Sequence, residues 1–142
     1  MKFAGENQRA NNATTFVSTS DGRVVGYYAL TVASIAKAEA PDALSKGSPQ
    51  QIGCLLLARL AVDRTVQGCG LGAALLGDCL RRSAQLSMEI GLKALLVHCR
   101  DEAARDFYLS KADFLTSPIE DLQLFLPMKW ILANVAQSAP AG

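Results

Sequence analysis

Along this chain the hydrophobic positions alternate between the two-residue period of strands and the three-to-four-residue period of helices. Residues 1–14, "MKFAGENQRANNAT", are polar with no sustained period, which predicts a frayed lead-in or a short helix. Two β-branched and aromatic runs, 15–19 and 24–33, flank Asp21-Gly22, and an Asp-Gly pair in that setting predicts a β-hairpin. The next stretch, "AKAEAPDALSKGSPQQIG", is rich in small and turn-forming residues and predicts a connecting loop with one helical turn at most. "CLLLARLAVD" is a mostly apolar run of strand length, as expected of a central strand covered on both faces.

Residues 73–90 place Leu76, Cys79, Leu80 and Ala84 at helical spacing with Arg81, Arg82 and Gln85 outward, and Gly91 stands where a terminator belongs. "LKALLVHC" is a second apolar strand. Two such strands joined by a helix predict a right-handed crossover and a parallel pair. "DEAARDFYLSKADF" opens with acids that suit a helix N-terminus, sets Ala104, Phe107 and Tyr108 on one face, and should stop near Lys111. Leu122, Leu124 and Leu126 alternate in "DLQLFLPMKWI", a strand pattern in which Pro127 marks an edge or a bulge.

Length and composition narrow this picture. At 142 residues and 15.1 kDa the chain suits one domain, residues 1–132, followed by a flexible tail, 133–142. It has neither an uninterrupted apolar run of about 18 residues nor a signal-like N-terminus, so no membrane partner and a cytoplasmic location are expected. Cys54, Cys69, Cys79 and Cys99 form no C-x-x-C pair, and a single histidine is present, which points to free thiols and no metal site. A net charge of +1 neither demands nor excludes RNA.

In "QGCGLGAALL", Gly68, Gly70 and Gly72 lie between a predicted strand and a predicted helix. Missing side chains let a ligand approach the backbone, and the free amides at the helix start suit a phosphate or pyrophosphate. No Gly-Lys-Ser/Thr follows, which excludes a Walker loop, and the G-x-G-x-G spacing departs from the dinucleotide fingerprint. A tight strand-to-helix turn without a ligand remains the alternative.

"LARLAVDRTVQGCGLGAALL" resembles the acetyl-coenzyme A motif Q/R-x-x-G-x-G/A of the GNAT N-acetyltransferases, with Gln67, Gly70 and Gly72 at its named positions. The resemblance covers about residues 52–114, and "LLLARLAVD", "LLVHC", "ARDFY" and "LFLPMKWI" bring it closest to the tRNA-acetylating toxins of type II toxin–antitoxin systems. It implies an α/β GNAT fold, a mixed central sheet flanked by helices, with acetyl-CoA as co-substrate. It also implies a pyrophosphate held by Gln67, Gly68, Cys69, Gly70, Leu71, Gly72 and Ala73, and a pantetheine arm paired along Leu60, Ala61 and Val62. Tyr108 stands where the family's tyrosine protonates the leaving sulfur. Read from its spacing alone it is a core tyrosine, and the glycine loop is what turns the reading toward a general acid. The implied acceptor is aminoacyl-tRNA, and the implied partner is a ribbon-helix-helix antitoxin.

Acetyl transfer needs a neutral amine, and no glutamate lies on the strand that would face it. His98 could serve as a base or as a structural histidine. A lysine of pKa about 10.4 is harder to deprotonate than an α-amino group of pKa about 7.7–8.0 by roughly 3 kcal/mol, so an enzyme short of a base suits the α-amino acceptor better. Arg59 interrupts an apolar strand and is expected to point into a cleft toward substrate or to pair with an acid. Two departures stand out. Fourteen residues precede the hairpin where the family has a strand and helices, so the N-terminal strand and helix are expected to be missing, leaving an uncovered sheet edge and a truncated, unstable or homodimer-dependent protein. "KADF" also replaces the usual Gly-Phe. The competing functions are a general acetyltransferase for small amines or protein N-termini, and a degenerate domain that binds cofactor or antitoxin without turnover.

Overall fold

The computed structural model describes residues 2–10 and 13–135. Strands β1 (Lys2–Ala10), β2 (Ala13–Ser20), β3 (Arg23–Ala36) and β4 (Gln51–Val62) pair antiparallel in succession. A short helix α1 (Asp42–Ser45) lies in the β3–β4 connection, and the long helix α2 (Leu71–Glu89) carries the chain from β4 to β5 (Ala94–His98), which runs parallel to β4. Helix α3 (Glu102–Lys111) leads to β6 (Leu115–Thr116) and β7 (Gln123–Pro127), and α4 (Met128–Asn134) comes directly after. The sheet order is β1-β2-β3-β4-β5-β7-β6. It is the mixed sheet with flanking helices that the family resemblance implies.

The β2–β3 turn puts Asp21 at φ 51° and Gly22 at φ 78°, the left-handed pair that a two-residue hairpin of matching twist requires. The predicted strands and helices near residues 15–19, 24–33, 54–63, 73–90, 92–99 and 101–111 are all present, with α2 starting two residues earlier than expected, at Leu71. Asp101 caps α3 by accepting from the Ala104 amide at 2.8 Å.

Two expectations fail. The lead-in is neither frayed nor helical: Lys2–Ala10 forms β1 against β2, with an irregularity between Glu6 and Arg9. The strand expected to be missing is therefore present, though among the described residues no helix precedes β2. Its pairing is a backbone property, so a polar, aperiodic sequence carried no sign of it. At the other end, "DLQLFLPMKWI" is not one strand. Pro127 ends β7 and caps α4, since its fixed φ of −58° and missing N–H suit a helix start. It does stand at a local sheet edge, because it pairs with Ala94 of β5 on one side while β6 pairs with β7 only at Leu124 and Phe125 on the other. Met128 and Ile131, one turn apart, are buried against the core. Of the expected tail, residues 133–134 belong to α4 and residues 136–142 lie outside the described residues.

The central strand is covered on both faces over its first half. Leu55 and Leu57 join the core under α2, while Ile52 and Cys54 join a smaller cluster with Ile35, Leu44, Leu96 and Phe125 on the opposite face. Under the α2 N-terminus, Gly26 permits a close approach: a Cβ there would lie 2.9 Å from Leu75 Cδ1 and 3.1 Å from the Ala61 carbonyl oxygen. All four cysteines are free, with Cys69 exposed and the others buried.

Candidate active site

The site begins where two paired strands part. β4 pairs with β5 only through Cys54–Ala94 to Leu57–Val97. On its other edge its register with β3 jumps from Leu30↔Leu57 to Ala29↔Arg59, leaving Ala58 as an extra residue. Such a bulge bends the strand and re-aims the residues beyond it. Residues 59–62 stay paired to β3, while their opposite edge faces a gap rather than a strand. That edge offers backbone N–H and C=O groups to an extended ligand in the manner of a missing strand.

The glycine loop forms the end of the gap. Asp63 opens it by accepting from the Thr65 amide at 2.8 Å and the Thr65 hydroxyl at 2.7 Å, and these bonds, aided by Arg23, hold its carboxyl below the usual range. Gly68 and Gly70 have φ of 86° and 80°, and Gly70 is the N-cap of α2 with no side chain capping it. The first α2 bond runs from the Ala74 amide to the Gly70 carbonyl at 3.0 Å. The amides of Leu71, Gly72 and Ala73 therefore lie ahead of the helical ladder at the positive end of its dipole, as an anion site requires. Gln67 ties the loop to β4 by donating to the Val62 carbonyl at 3.2 Å.

These parts enclose a groove of about 450 Å³. Leu60, Ala61, Val62, Gln67, Gly68, Gly70, Leu71, Gly72 and Ala73 line one side; Ala104, Phe107, Tyr108 and Lys111 line the α3 side. Of the predicted cofactor residues only Cys69 is not in the lining; its amide bonds back to the Val66 carbonyl at 3.4 Å. Gly72 keeps the groove narrow, since even a Cβ there would stand 3.5 Å from the Phe107 ring. Free amides, a narrow groove and an open strand edge fit a co-substrate made of a pyrophosphate and an extended amide-bearing arm.

A second cavity, about 330 Å³, adjoins the first and shares Leu60, Ala61, Arg100, Ala104 and Tyr108 with it. Its remaining lining includes Tyr27, Arg59, His98 and Cys99. Tyr108 thus borders both spaces. It is only 6% exposed, and its ring meets Phe107 and Phe114 edge-on at 5.3 and 5.7 Å, so the core role and the site role coincide. Burial, then the neighbouring Cys99 and Cys79, push its pKa upward, which keeps the phenol protonated. Arg59 is exposed and points into the cleft, as one of its two expected fates required. His98 lies at the rim with its Nε2 3.2 Å from Gln123 Nε2.

Sequence reasoning missed Tyr27, Phe107 as a groove wall, and Lys111, whose Nζ lies 5.7 Å from the Phe107 ring centre. It named Arg100 only as one surface charge among several, yet Arg100 borders both cavities. Tyr27 comes to the site through its register opposite Ala61, a pairing that no local pattern encodes.

A groove with free amides and an open strand edge, adjoining a second cavity at a buried tyrosine, fits an acyltransferase. The chain belongs to the acetyltransferase (GNAT) domain family, whose model matches residues 11–112, and it is an acetyl-CoA-dependent enzyme. Among characterised proteins it is 45% identical to a tRNA-acetylating toxin of Mycobacterium tuberculosis (strain ATCC 25618 / H37Rv), over 90% of this chain and 76% of that one. The structure of AtaT complexed with acetyl-methionyl-tRNAfMet superposes with a TM-score of 0.77 at 29% identity, covering 86% of this chain and 75% of that one. A mutant AtaT toxin bound to acetyl-CoA and the C-terminus of the antitoxin AtaR gives 0.70 at 26%, covering 85% and 71%. No helix among the described residues is long and apolar enough to cross a membrane.

Proposed function

We propose that this chain moves acetyl from acetyl-CoA to the α-amino group of aminoacyl-tRNA and thereby acts as a translation-inhibiting toxin. One observation carries the reading: two cavities meet at Tyr108 in a chain 45% identical to a tRNA-acetylating toxin. The amides of the glycine loop would hold the pyrophosphate, and the open edge of Leu60, Ala61 and Val62 would hold the pantetheine arm. That arrangement brings the thioester to the point where both cavities border Tyr108.

The amine, entering through the second cavity, attacks the carbonyl carbon. Tyr108 donates its phenolic proton to the departing sulfur and recovers one from the nitrogen, which must shed a proton to become an amide. The balance closes without a separate strong acid. None of the residues lining the acceptor cavity is a carboxylate. Such a pocket suits an amine that is already neutral in about one molecule in ten at pH 7, an α-amino group rather than a lysine. Arg59 and Arg100 supply positive charge beside the entrance for a phosphate-rich acceptor.

The same reading includes a single domain over residues 1–132, cytoplasmic action, a ribbon-helix-helix antitoxin and a homodimer. That the partner is an antitoxin is supported by the AtaT–AtaR complex, and its ribbon-helix-helix type is part of the proposal. The direct test incubates the protein with labelled acetyl-CoA and a pool of charged tRNA. Label on the aminoacyl end of one or more tRNAs is expected; label only on small amines or protein N-termini would overturn the assignment.

A further inference from the structure

The acceptor cavity carries residues that acetyl transfer itself does not use. In the β3–β4 ladder Tyr27 stands opposite Ala61, and Ala29 stands opposite Arg59. Tyr27 and Arg59 are therefore diagonal neighbours on one face of the sheet. It is the face turned away from α2, because the intervening pair, Tyr28 and Leu60, packs on the α2 side. Arg100 borders the same cavity from the turn after β5; its side chain is 90% exposed and its Nε lies 3.7 Å from Asp101. The gap between β4 and β5 thus joins two faces, with the groove on the α2 side and an aromatic–arginine surface on the other.

A pocket for a simple cationic amine would place a carboxylate near the ammonium group, and this lining has none. Tyr27 beside two guanidinium groups has a different complement: a ring stacks on a nucleobase, and a guanidinium pairs with a phosphate in a forked hydrogen bond. We propose that Tyr27 and Arg59 form a nucleotide subsite that reads the terminal nucleotide of the acceptor, Tyr27 stacking on its base and Arg59 pairing with its phosphate. The inference rests on the aminoacyl-tRNA reading and adds to it the residues that set specificity. The amine must reach Ala61 and Tyr108 at the floor, so the nucleotide that bears it occupies the mouth. Free polyamines and lysine side chains lack both handles and meet two like charges there.

The test uses the full chain saturated with coenzyme A, so that the cofactor groove is filled, and titrates it with uncharged CCA, the trinucleotide at the 3′ end of tRNA. Tyr27→Leu and Arg59→Ala should each weaken trinucleotide binding about tenfold, and Tyr27→Phe should retain it. Acetyl-CoA affinity should stay within twofold in all three, which also checks that each variant is folded. With aminoacyl-tRNA, Tyr27→Leu should raise KM about tenfold while kcat moves less than threefold. Equal trinucleotide binding by the wild type, Tyr27→Leu and Arg59→Ala overturns the subsite, as does equal loss in Tyr27→Leu and Tyr27→Phe. Trinucleotide binding that depends on both residues, in a protein that acetylates no aminoacyl-tRNA, supports the subsite and overturns the acceptor assignment instead.

Discussion

Replacing Tyr108 by phenylalanine removes one oxygen from the place where the two cavities meet. The ring contacts with Phe107 and Phe114 persist, and the side chain is already almost wholly buried, so folding stability should change by less than about 1 kcal/mol. Loss of a positioned acid costs about 10²–10⁴ in rate, which corresponds to roughly 2.7–5.4 kcal/mol of barrier. The co-substrate is held elsewhere, by loop amides and strand edge, so its affinity should move less than twofold. Isothermal titration with acetyl-CoA, beside steady-state turnover on aminoacyl-tRNA, separates the two effects. Turnover within threefold of wild type would refute the proton-donor role. A tenfold loss of acetyl-CoA affinity would instead show that Tyr108 acts through the groove.

Three further outcomes are expected. Gly70→Ala forces an alanine to φ 80° with nothing within 4 Å of its Cβ, so the cost is backbone strain, about 1–2 kcal/mol, seen as a lower Tm and a higher KM for acetyl-CoA. Asp78→Ala deprives the buried Tyr28 hydroxyl of its acceptor and Arg82 of a partner at 3.0 Å, which should cost about 1–3 kcal/mol by urea unfolding while leaving acetyl-CoA affinity unchanged. Stability should fall at both pH extremes. Asp63, held below its unfolded value, loses its contribution as pH drops below about 3.9; Tyr28 and Tyr108, held above theirs by burial, lose it as pH rises above about 10. Thermal melts across pH would report a flat plateau to both extremes if these shifts were absent.

Much of the fold was legible because its signals are local. Asp21-Gly22 needs only its own backbone preference to make a hairpin turn, and α2 needs only the spacing of Leu76, Cys79, Leu80 and Ala84. Lys2–Ala10 was illegible because an edge strand is held by main-chain bonds to β2, and main-chain bonds are indifferent to side-chain pattern. Met128–Asn134 was misread because its apolar residues continue those of β7, and a short apolar run has no period of its own until packing chooses one.

The site divides along the same line. Local chemistry was enough for the glycine loop, since left-handed φ at Gly68 and Gly70 and unblocked amides at a helix start come from which residues lack a Cβ. It was also enough to place Tyr108 one helix after the second central strand. Packing, by contrast, settled that an extra residue at Ala58 accompanies the parting of β4 from β5, and that the opening joins the groove to a second cavity through Tyr108. It likewise brought Tyr27, Arg59 and Arg100 around that cavity from three separate segments. Register and strand divergence arise from contacts between residues far apart in the chain, and no local spacing records them.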